Sequence, residues 1–215
     1  MEMKTLKIIE HGVVPYESAW QQQRELHSSR LAGEIEDTLV LLEHPPVYTL
    51  GKNVGKENLL DPMDAEVIQS DRGGDITWHG PGQIVGYPIF NLEDHKKSVS
   101  WYMRSLEDVI IKTLAHFDIS SDRIKGMTGV WVGDGKVCAM GVRLSRWVTM
   151  HGFALNVAPN MSYFGGMIPC GIQGKRVVSM KELLGRDISI EEVTPHIITS
   201  FQAVFGFEEI VKEKK

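Results

Sequence analysis

Two hydrophobic periods alternate along the chain, and together they predict an α/β protein of the α+β kind. Apolar residues three or four positions apart predict helices, most clearly between Ser100 and Phe117. Short apolar or alternating runs predict strands, and Gly133-Asp134-Gly135 between two such runs predicts a hairpin in an antiparallel meander. The predicted helices cover residues 16–31, 100–117, 180–184 and 190–205, and the predicted strands cover residues 6–9, 38–42, 67–70, 83–92, 130–132, 136–144 and 147–157.

Length and composition favour a single domain. The chain has 215 residues, of which 42% are hydrophobic, enough to bury a sizeable core. No apolar run approaches the roughly 18 residues that span a bilayer, so no membrane partner is expected. The N-terminal residues alternate charged and apolar side chains, which indicates a strand rather than a signal peptide. We therefore expect one domain over residues 1–215, with at most a small C-terminal lobe from about residue 170, in the cytoplasm.

The charge balance and the known motifs exclude several classes of function. The net charge of −5 and the pI near 5.9 argue against nucleic acid as the main partner, because phosphate binding requires a basic face. Two cysteines are too few for a disulfide framework or a cysteine-rich metal site. The chain contains no P-loop, no G-x-S-x-G motif, no His-Glu-x-x-His and no Cys-x-x-Cys.

The two cysteines have different surroundings. Cys138 lies in the body of a predicted strand, where a cysteine is usually a small buried hydrophobe. Cys170 lies between Pro169 and Gly171, which exclude regular structure and leave the backbone open. A nucleophile could meet a substrate there, with nearby N–H groups free to bind an oxyanion. Composition alone does not separate this role of Cys170 from an inert loop thiol.

Lys136 directly follows the predicted hairpin turn, so a strand would hold it in place. A free thiol with a pKa near ~8.5 is only a few per cent thiolate at neutral pH. A nearby ammonium favours the charged form, and a pKa of about 7 would give roughly ten times more thiolate. Without further information, a solvated charge beside a hairpin is the simpler interpretation of this lysine.

The segment 72–83 has an unusual composition. Its four glycines within ten residues would destabilise a helix or strand, but they suit a backbone that passes close to a ligand. Arg72, Trp78 and His79 stand among these glycines, which favours a binding segment over an irregular surface loop. His151 is also followed by glycine. A lone strand histidine is more often structural, yet the two His-Gly pairs suggest two walls of one pocket.

Taken together, these motifs resemble those of the lipoyl(octanoyl) transferases, the octanoyl-[acyl-carrier-protein]:protein N-octanoyltransferases of lipoate biosynthesis. The similarity runs in order from about Leu39 to Ser179. It is carried by residues 42–51, 72–74, 79–83, 129–132 leading to Lys136, 151–156 and 169–171. The resemblance implies a mixed, mostly antiparallel sheet flanked by helices, as in the biotin and lipoate protein ligases, with a small second subdomain.

The resemblance also implies the site residues. Cys170 stands at the position of the family's acyl-thioester cysteine, and Lys136 at that of the lysine that lowers its pKa. Neither a metal nor a cofactor is implied, because an octanoyl thioester is already activated. The positions that match the acyl pocket are Arg72, Gly73, Gly74, Asp75, Ile76, Thr77, Trp78, His79, Ala139, Met140, Gly141, His151, Gly152, Phe153 and Ala154.

In the reaction that this resemblance implies, Cys170 takes the acyl group from octanoyl-acyl carrier protein. A lysine amine of a lipoyl domain, in a 2-oxoacid dehydrogenase or the glycine cleavage H protein, then attacks the acyl-enzyme. Deprotonated Lys136 could accept the proton of that amine. A basic patch for the acidic carrier is expected among four residues near the motifs, namely Arg143, Arg146, Lys175 and Arg176.

Four other functions remain open at this stage. An ATP-dependent lipoate-protein ligase would require ATP, and a lipoyl amidotransferase would use a different donor. A non-catalytic module that binds acyl carriers or lipoyl domains would tolerate the loss of Cys170. A thioesterase would pass the acyl group to water instead of lysine.

Overall fold

In the residues that the structure describes, a nine-stranded sheet is the framework of the fold. The computed structural model describes residues 3–168 and 175–213. A second sheet of three strands lies beside the main one in this part of the chain. In chain order the strands are β1 (Thr5–Val13), β2 (Asp37–Glu43), β3 (Val47–Leu50), β4 (Glu66–Gln69), β5 (Thr77–His79), β6 (Gln83–Ile89), β7 (Asp122–Ile124), β8 (Met127–Val132), β9 (Gly135–Ser145), β10 (Val148–Asn156), β11 (Arg176–Val177) and β12 (Glu209–Lys212).

The helices agree closely with the predicted ones. Three of them begin after a serine whose side chain accepts a backbone N–H, which satisfies an otherwise unpaired donor: Ser98, Ser179 and Ser189. The α-helices are α1 (Tyr16–Leu31), α2 (Val99–Ala115), α3 (Met180–Leu184) and α4 (Ile190–Phe205), and two 3₁₀ helices span Lys56–Asn58 and Met161–Gly166. Within the described residues, none of the helices has the length and apolarity that crossing a membrane requires.

The main sheet is mixed and mostly antiparallel, which confirms the predicted fold class. Its order is β12-β1-β2-β6-β10-β9-β8-β7, with β11 beside β9. The pairs β1–β12, β1–β2 and β9–β11 are parallel. The pairs from β2 through β6, β10, β9 and β8 to β7 are antiparallel. The β8–β9 hairpin turns at Gly133 and Asp134, as predicted from the glycines there.

The two faces of the main sheet are covered by different helices. Leu39 and Leu41 of β2 belong to the large core beneath α2 and α4. Val40 and Leu42, which alternate with them, pack toward α1 on the other face. Both sets are buried, because β2 is a central strand with both faces covered. This explains why its sequence is a continuous apolar run.

The smaller sheet has the order β4-β3-β5 and its own apolar core, which includes Tyr48 and Trp78. The sequence predicted β4 but neither β3 nor β5, because three or four residues beside prolines or glycines give little periodic signal. Residues 176–212 return to the main sheet through β11 and β12. The division of the chain into domains stays a prediction.

Candidate active site

A cavity of about 620 Å³ lies between the main sheet and the glycine-rich segment, within the usual size range of small-molecule sites. It brings together nearly all of the predicted site residues. Those that line it are Lys136, Arg72, Gly73, Gly74, Asp75, Ile76, Thr77, His79, Ala139, Met140, Gly141, His151, Gly152, Phe153 and Ala154. Cys170 lies outside the described residues.

Small residues form the floor of the cavity. Ala139 of β9 lies opposite Ala154 of β10, and Gly141 lies opposite Gly152 in the same ladder. Side chains at these positions face the cavity, so their small size leaves room for a ligand above the sheet. A Cβ atom added at Gly141 would lie 2.6 Å from the carbonyl oxygen of Gly73. The glycine-rich segment therefore lies so close to the sheet that a side chain at position 141 would clash with it.

The glycine-rich segment forms the roof and is held by Arg72. The amide of Gly73 donates to the carbonyl oxygen of Val142 over 2.9 Å. The Arg72 guanidinium is buried and donates to Thr49 Oγ1 over 2.9 Å and to the Gly73 carbonyl oxygen over 3.1 Å. Gly74 has φ of +87°, a conformation that glycine adopts without strain. Arg72 thus fixes the segment in place while it lines the cavity.

A β-bulge determines which way Lys136 points. Trp131 of β8 lies opposite Lys136, whereas the preceding Val130 lies opposite Cys138, so Val137 is an extra residue in β9. Lys136 and Cys138 therefore face opposite sides of the sheet, although a regular strand would place them on the same side. The Lys136 ammonium lies 4.9 Å from the centre of the Trp131 ring, a cation–π geometry that helps to hold it at the cavity.

The prediction that Cys138 is a core residue is confirmed. Cys138 is 0% exposed and packs in the large core on the face of the sheet beneath α2 and α4. Burial raises the pKa of its thiol well above the ordinary value, despite the opposing effect of Lys136. A thiol that stays protonated is a poor nucleophile. Cys138 also lies on the far side of the sheet from the small-residue floor.

His79 lies in a chain of buried hydrogen bonds under the cavity. Its Nδ1 lies 2.7 Å from Gln83 Oε1, and Gln83 Nε2 donates to Asn156 Oδ1 over 2.8 Å. Asn156 Nδ2 in turn donates to the carbonyl oxygen of Val178 over 3.1 Å. Burial lowers the pKa of His79 well below its ordinary value, so the ring is neutral. The motif included Gln83 and Asn156, but the sequence alone did not indicate their shared role.

His151 lines the same cavity in a strained backbone conformation, with φ of +57°. Its Nε2 lies 2.7 Å from Asp71 Oδ1, and its backbone N–H donates to Gln23 Oε1 over 2.8 Å. Burial acts to raise the pKa of the Asp71 carboxyl, but His151 and Arg143 outweigh it and the pKa is lowered. Because Asp71 is ionised, we infer that His151 Nε2 carries the proton.

Trp78 differs from the other predicted pocket residues. Its ring is fully buried in the smaller sheet's core, where it stacks on Tyr163 at 4.8 Å between ring centres. Successive residues of a strand point to opposite faces, so Thr77 and His79 line the cavity while Trp78 points away from it. The structure therefore favours a packing role for Trp78.

The four basic residues suggested for carrier docking do not form one patch. Arg176 lies opposite the first residue of β9, directly after Lys175. Arg143 lies near the other end of β9, and Arg146 just beyond it. At ~3.3 Å per residue, about 30 Å of strand separate the two groups. Arg143 is also ion-paired with Asp71.

His44 should make stability depend on pH. Burial lowers its pKa from 6.5 to about 4, against the opposing hydrogen bond to the Val14 carbonyl oxygen. Between these values the unfolded chain binds a proton that the folded chain does not, so stability falls as the pH is lowered. We expect His44 to cost about 2 kcal/mol of unfolding free energy between pH 7 and pH 5. Urea denaturation of His44→Gln should show a correspondingly smaller loss, and an identical loss would contradict this account.

This chain is similar to known proteins both in sequence and in fold. A family described as "Lipoyl protein ligase A/B catalytic domain" matches residues 15–202. An octanoyltransferase from Gloeobacter violaceus is 47% identical over 203 residues, which cover 94% of this chain and 90% of that protein. The crystal structure of lipoate-protein ligase A bound with ATP shares the fold, with a TM-score of 0.74 and 13% sequence identity over 100% of this chain and 89% of that one. The crystal structure of biotin protein ligase from Aquifex aeolicus shares it with a TM-score of 0.55 and 14% identity over 95% of this chain and 70% of that one.

The fold is that of the lipoate and biotin protein ligases. This confirms the predicted fold class. The chain belongs to the lipoyl protein ligase A/B catalytic domain family, and within it to the octanoyltransferases. The resemblance seen in the sequence motifs is thereby confirmed.

Proposed function

We propose that this protein transfers an octanoyl group from octanoyl-acyl carrier protein to a lysine amine of lipoyl domains, through a thioester on Cys170. One observation carries the proposal: Met167 and Val177, which flank Cys170 in the chain, both line the cavity that contains Lys136. Only three residues, at most about 10 Å of extended chain, separate Met167 from Cys170, which supports the assignment of Cys170 to this cavity. The 47% identity to an octanoyltransferase supports the acyl group assigned here.

The first half-reaction moves the acyl group to the enzyme. The Cys170 thiolate attacks the thioester carbonyl carbon, a new C–S bond forms, and the carrier's thiolate leaves and takes up a proton. Lys136 assists because its ammonium favours the thiolate over the thiol. The small-residue floor and the glycine-rich roof hold the acyl chain beside the reacting carbon.

The second half-reaction moves the acyl group to the acceptor. The acceptor's lysine amine attacks the thioester of Cys170, an amide C–N bond forms, and the Cys170 thiolate leaves. The attacking amine loses one proton, and Lys136 in its deprotonated form is the base that we assign to it. An amide is more stable than a thioester, so this step runs downhill. The acceptors that we assign are lipoyl domains of 2-oxoacid dehydrogenases and the glycine cleavage H protein, in the cytoplasm.

The proposal is tested by the intact mass of the protein after incubation with octanoyl-acyl carrier protein. We expect one octanoyl adduct that hydroxylamine removes, that peptide mapping assigns to Cys170, and that a lipoyl domain discharges. Discharge by buffer alone at the same rate would indicate a thioesterase. Transfer that requires ATP and leaves no adduct would indicate a ligase and overturn the proposal.

A further inference from the structure

The edge of β9 is open for part of its length. The pairing of β8 with β9 ends where Val130 lies opposite Cys138. Farther along the same side, the next hydrogen bond is that of Val142, whose carbonyl oxygen accepts from Gly73. Between these two positions lies Met140. In the part of the chain that the structure describes, Met140 has no ladder partner in β8, and no loop residue forms a backbone hydrogen bond with it.

The direction of the Met140 backbone groups follows from the ladder. In an antiparallel sheet, successive residues of a strand bond alternately to the neighbour on one side and the other. The Val142 carbonyl points away from β10, because it meets Gly73. Met140 precedes it by two residues, so its N–H and C=O point the same way. Met140 therefore presents one donor and one acceptor at the open edge.

This open edge faces a second branch of the cavity. Val99 and Met103 of α2 line it, together with residues 126–128 at the start of β8. Met140 and Phe153, whose side chains lie on the face of the sheet beneath α2 and α4, line it as well. The cavity thus continues around the edge of β9, from the small-residue floor to the face beneath α2. Val99 is 48% exposed, so this branch reaches the surface.

The second branch begins beside Lys136. Gly129, the residue after the lining segment 126–128, lies against the Lys136 side chain: a Cβ atom added at Gly129 would lie 3.6 Å from Lys136 Cδ. The edge branch therefore begins next to the Lys136 side chain, which also lines the cavity. The floor branch is lined by small residues, whereas the edge branch is lined by the apolar side chains of Val99 and Met103 and by Met140, whose carbonyl oxygen would lie 3.9 Å from a Cβ atom added at Gly74.

We infer that the edge branch binds the pantetheine arm of the donor thioester, with an arm amide paired to the Met140 N–H and C=O as an added strand would be. This inference rests on the proposed function. The arm combines secondary amides with apolar carbons, which matches the Met140 pair and the side chains of Val99 and Met103. An octanoyl chain has no group for the Met140 pair. The acceptor offers a lysine side chain, which has no amide either.

The test compares two donors with the same reacting bond. S-octanoyl-pantetheine carries the arm, and the octanoyl thioester of 2-mercaptoethanol has no amide. We expect kcat/KM for acyl-enzyme formation to be at least about tenfold higher with the pantetheine donor, which corresponds to two hydrogen bonds of modest net strength. Met103→Trp, which fills the branch, should reduce this ratio toward one. Lys112→Trp, on an exposed part of α2, should leave the ratio unchanged.

The outcomes separate the inference from the proposed function. If wild type uses both donors equally, or Met103→Trp lowers both rates by the same factor, the edge branch does not hold the arm. In either case the adduct still forms, so the proposed function survives. If neither donor nor the intact carrier gives an adduct, both fail together. Val99→Trp, at a more exposed position, replaces Met103→Trp if that variant does not fold.

Discussion

Cys170→Ala is expected to abolish octanoyl transfer, with a loss of roughly 10⁴-fold or more, because the variant has no atom that can hold the acyl group. The octanoyl adduct should disappear from the intact mass at the same time. Residual transfer would then be the uncatalysed attack of the acceptor amine on the carrier thioester. Single-turnover assays with octanoyl-acyl carrier protein and a lipoyl domain measure both quantities.

Cys138→Ala is the matched control for this experiment. Cys138 is fully buried on the face beneath α2 and α4, so loss of its thiol should cost about 1 kcal/mol of stability and leave the adduct intact. The opposite pattern, an adduct on Cys170→Ala and none on Cys138→Ala, would make Cys138 the nucleophile. That outcome would also require the main sheet to open during the reaction.

Lys136→Met should lower kcat/KM for transfer by about 10² to 10⁴, the usual contribution of a positioned acid or base. Methionine keeps much of the apolar stem while it removes the ammonium. Without that positive charge the Cys170 thiolate is less favoured, so alkylation of Cys170 should require a higher pH. Lys112→Met removes an exposed lysine far from the cavity and should change neither quantity.

The pH profile of iodoacetamide labelling separates the roles of Lys136. A profile that moves to higher pH, with aminolysis of preformed acyl-enzyme also slowed, supports both assigned roles. A shifted profile with normal aminolysis would leave only the electrostatic role. An unchanged profile would contradict the proposed pairing of Lys136 and Cys170.

The sequence predicts the helices well because their periods are long and their caps are explicit. Helix α4, for example, begins at Ser189 with a capping box to Glu192, and the predicted range 190–205 matches it. Strands of three or four residues, such as β5 and β12, carry too few positions for a period to emerge. Their positions follow from pairing with distant strands, which a single sequence does not reveal.

Two features of the site depend on geometry that local patterns do not encode. The extra residue at Val137 reverses the side to which Lys136 points, yet a regular alternation predicts Lys136 and Cys138 on the same side. Trp78 stands within a functional motif, but its place in the β5 alternation turns it toward the packing core. The motif resemblance identified the cavity-lining segments, whereas their directions required the strand register.

The position of Cys138 makes this thiol a natural reporter of global opening. Because the sheet and the helices enclose it completely, a thiol reagent can reach it only when these layers separate. Its labelling rate under native conditions, divided by the rate for an unfolded peptide, therefore gives the equilibrium constant for that opening, and the logarithm of this constant gives the free energy. Cys138, two residues from Lys136 in the chain, thus reports the stability of the sheet and helices that support the active site.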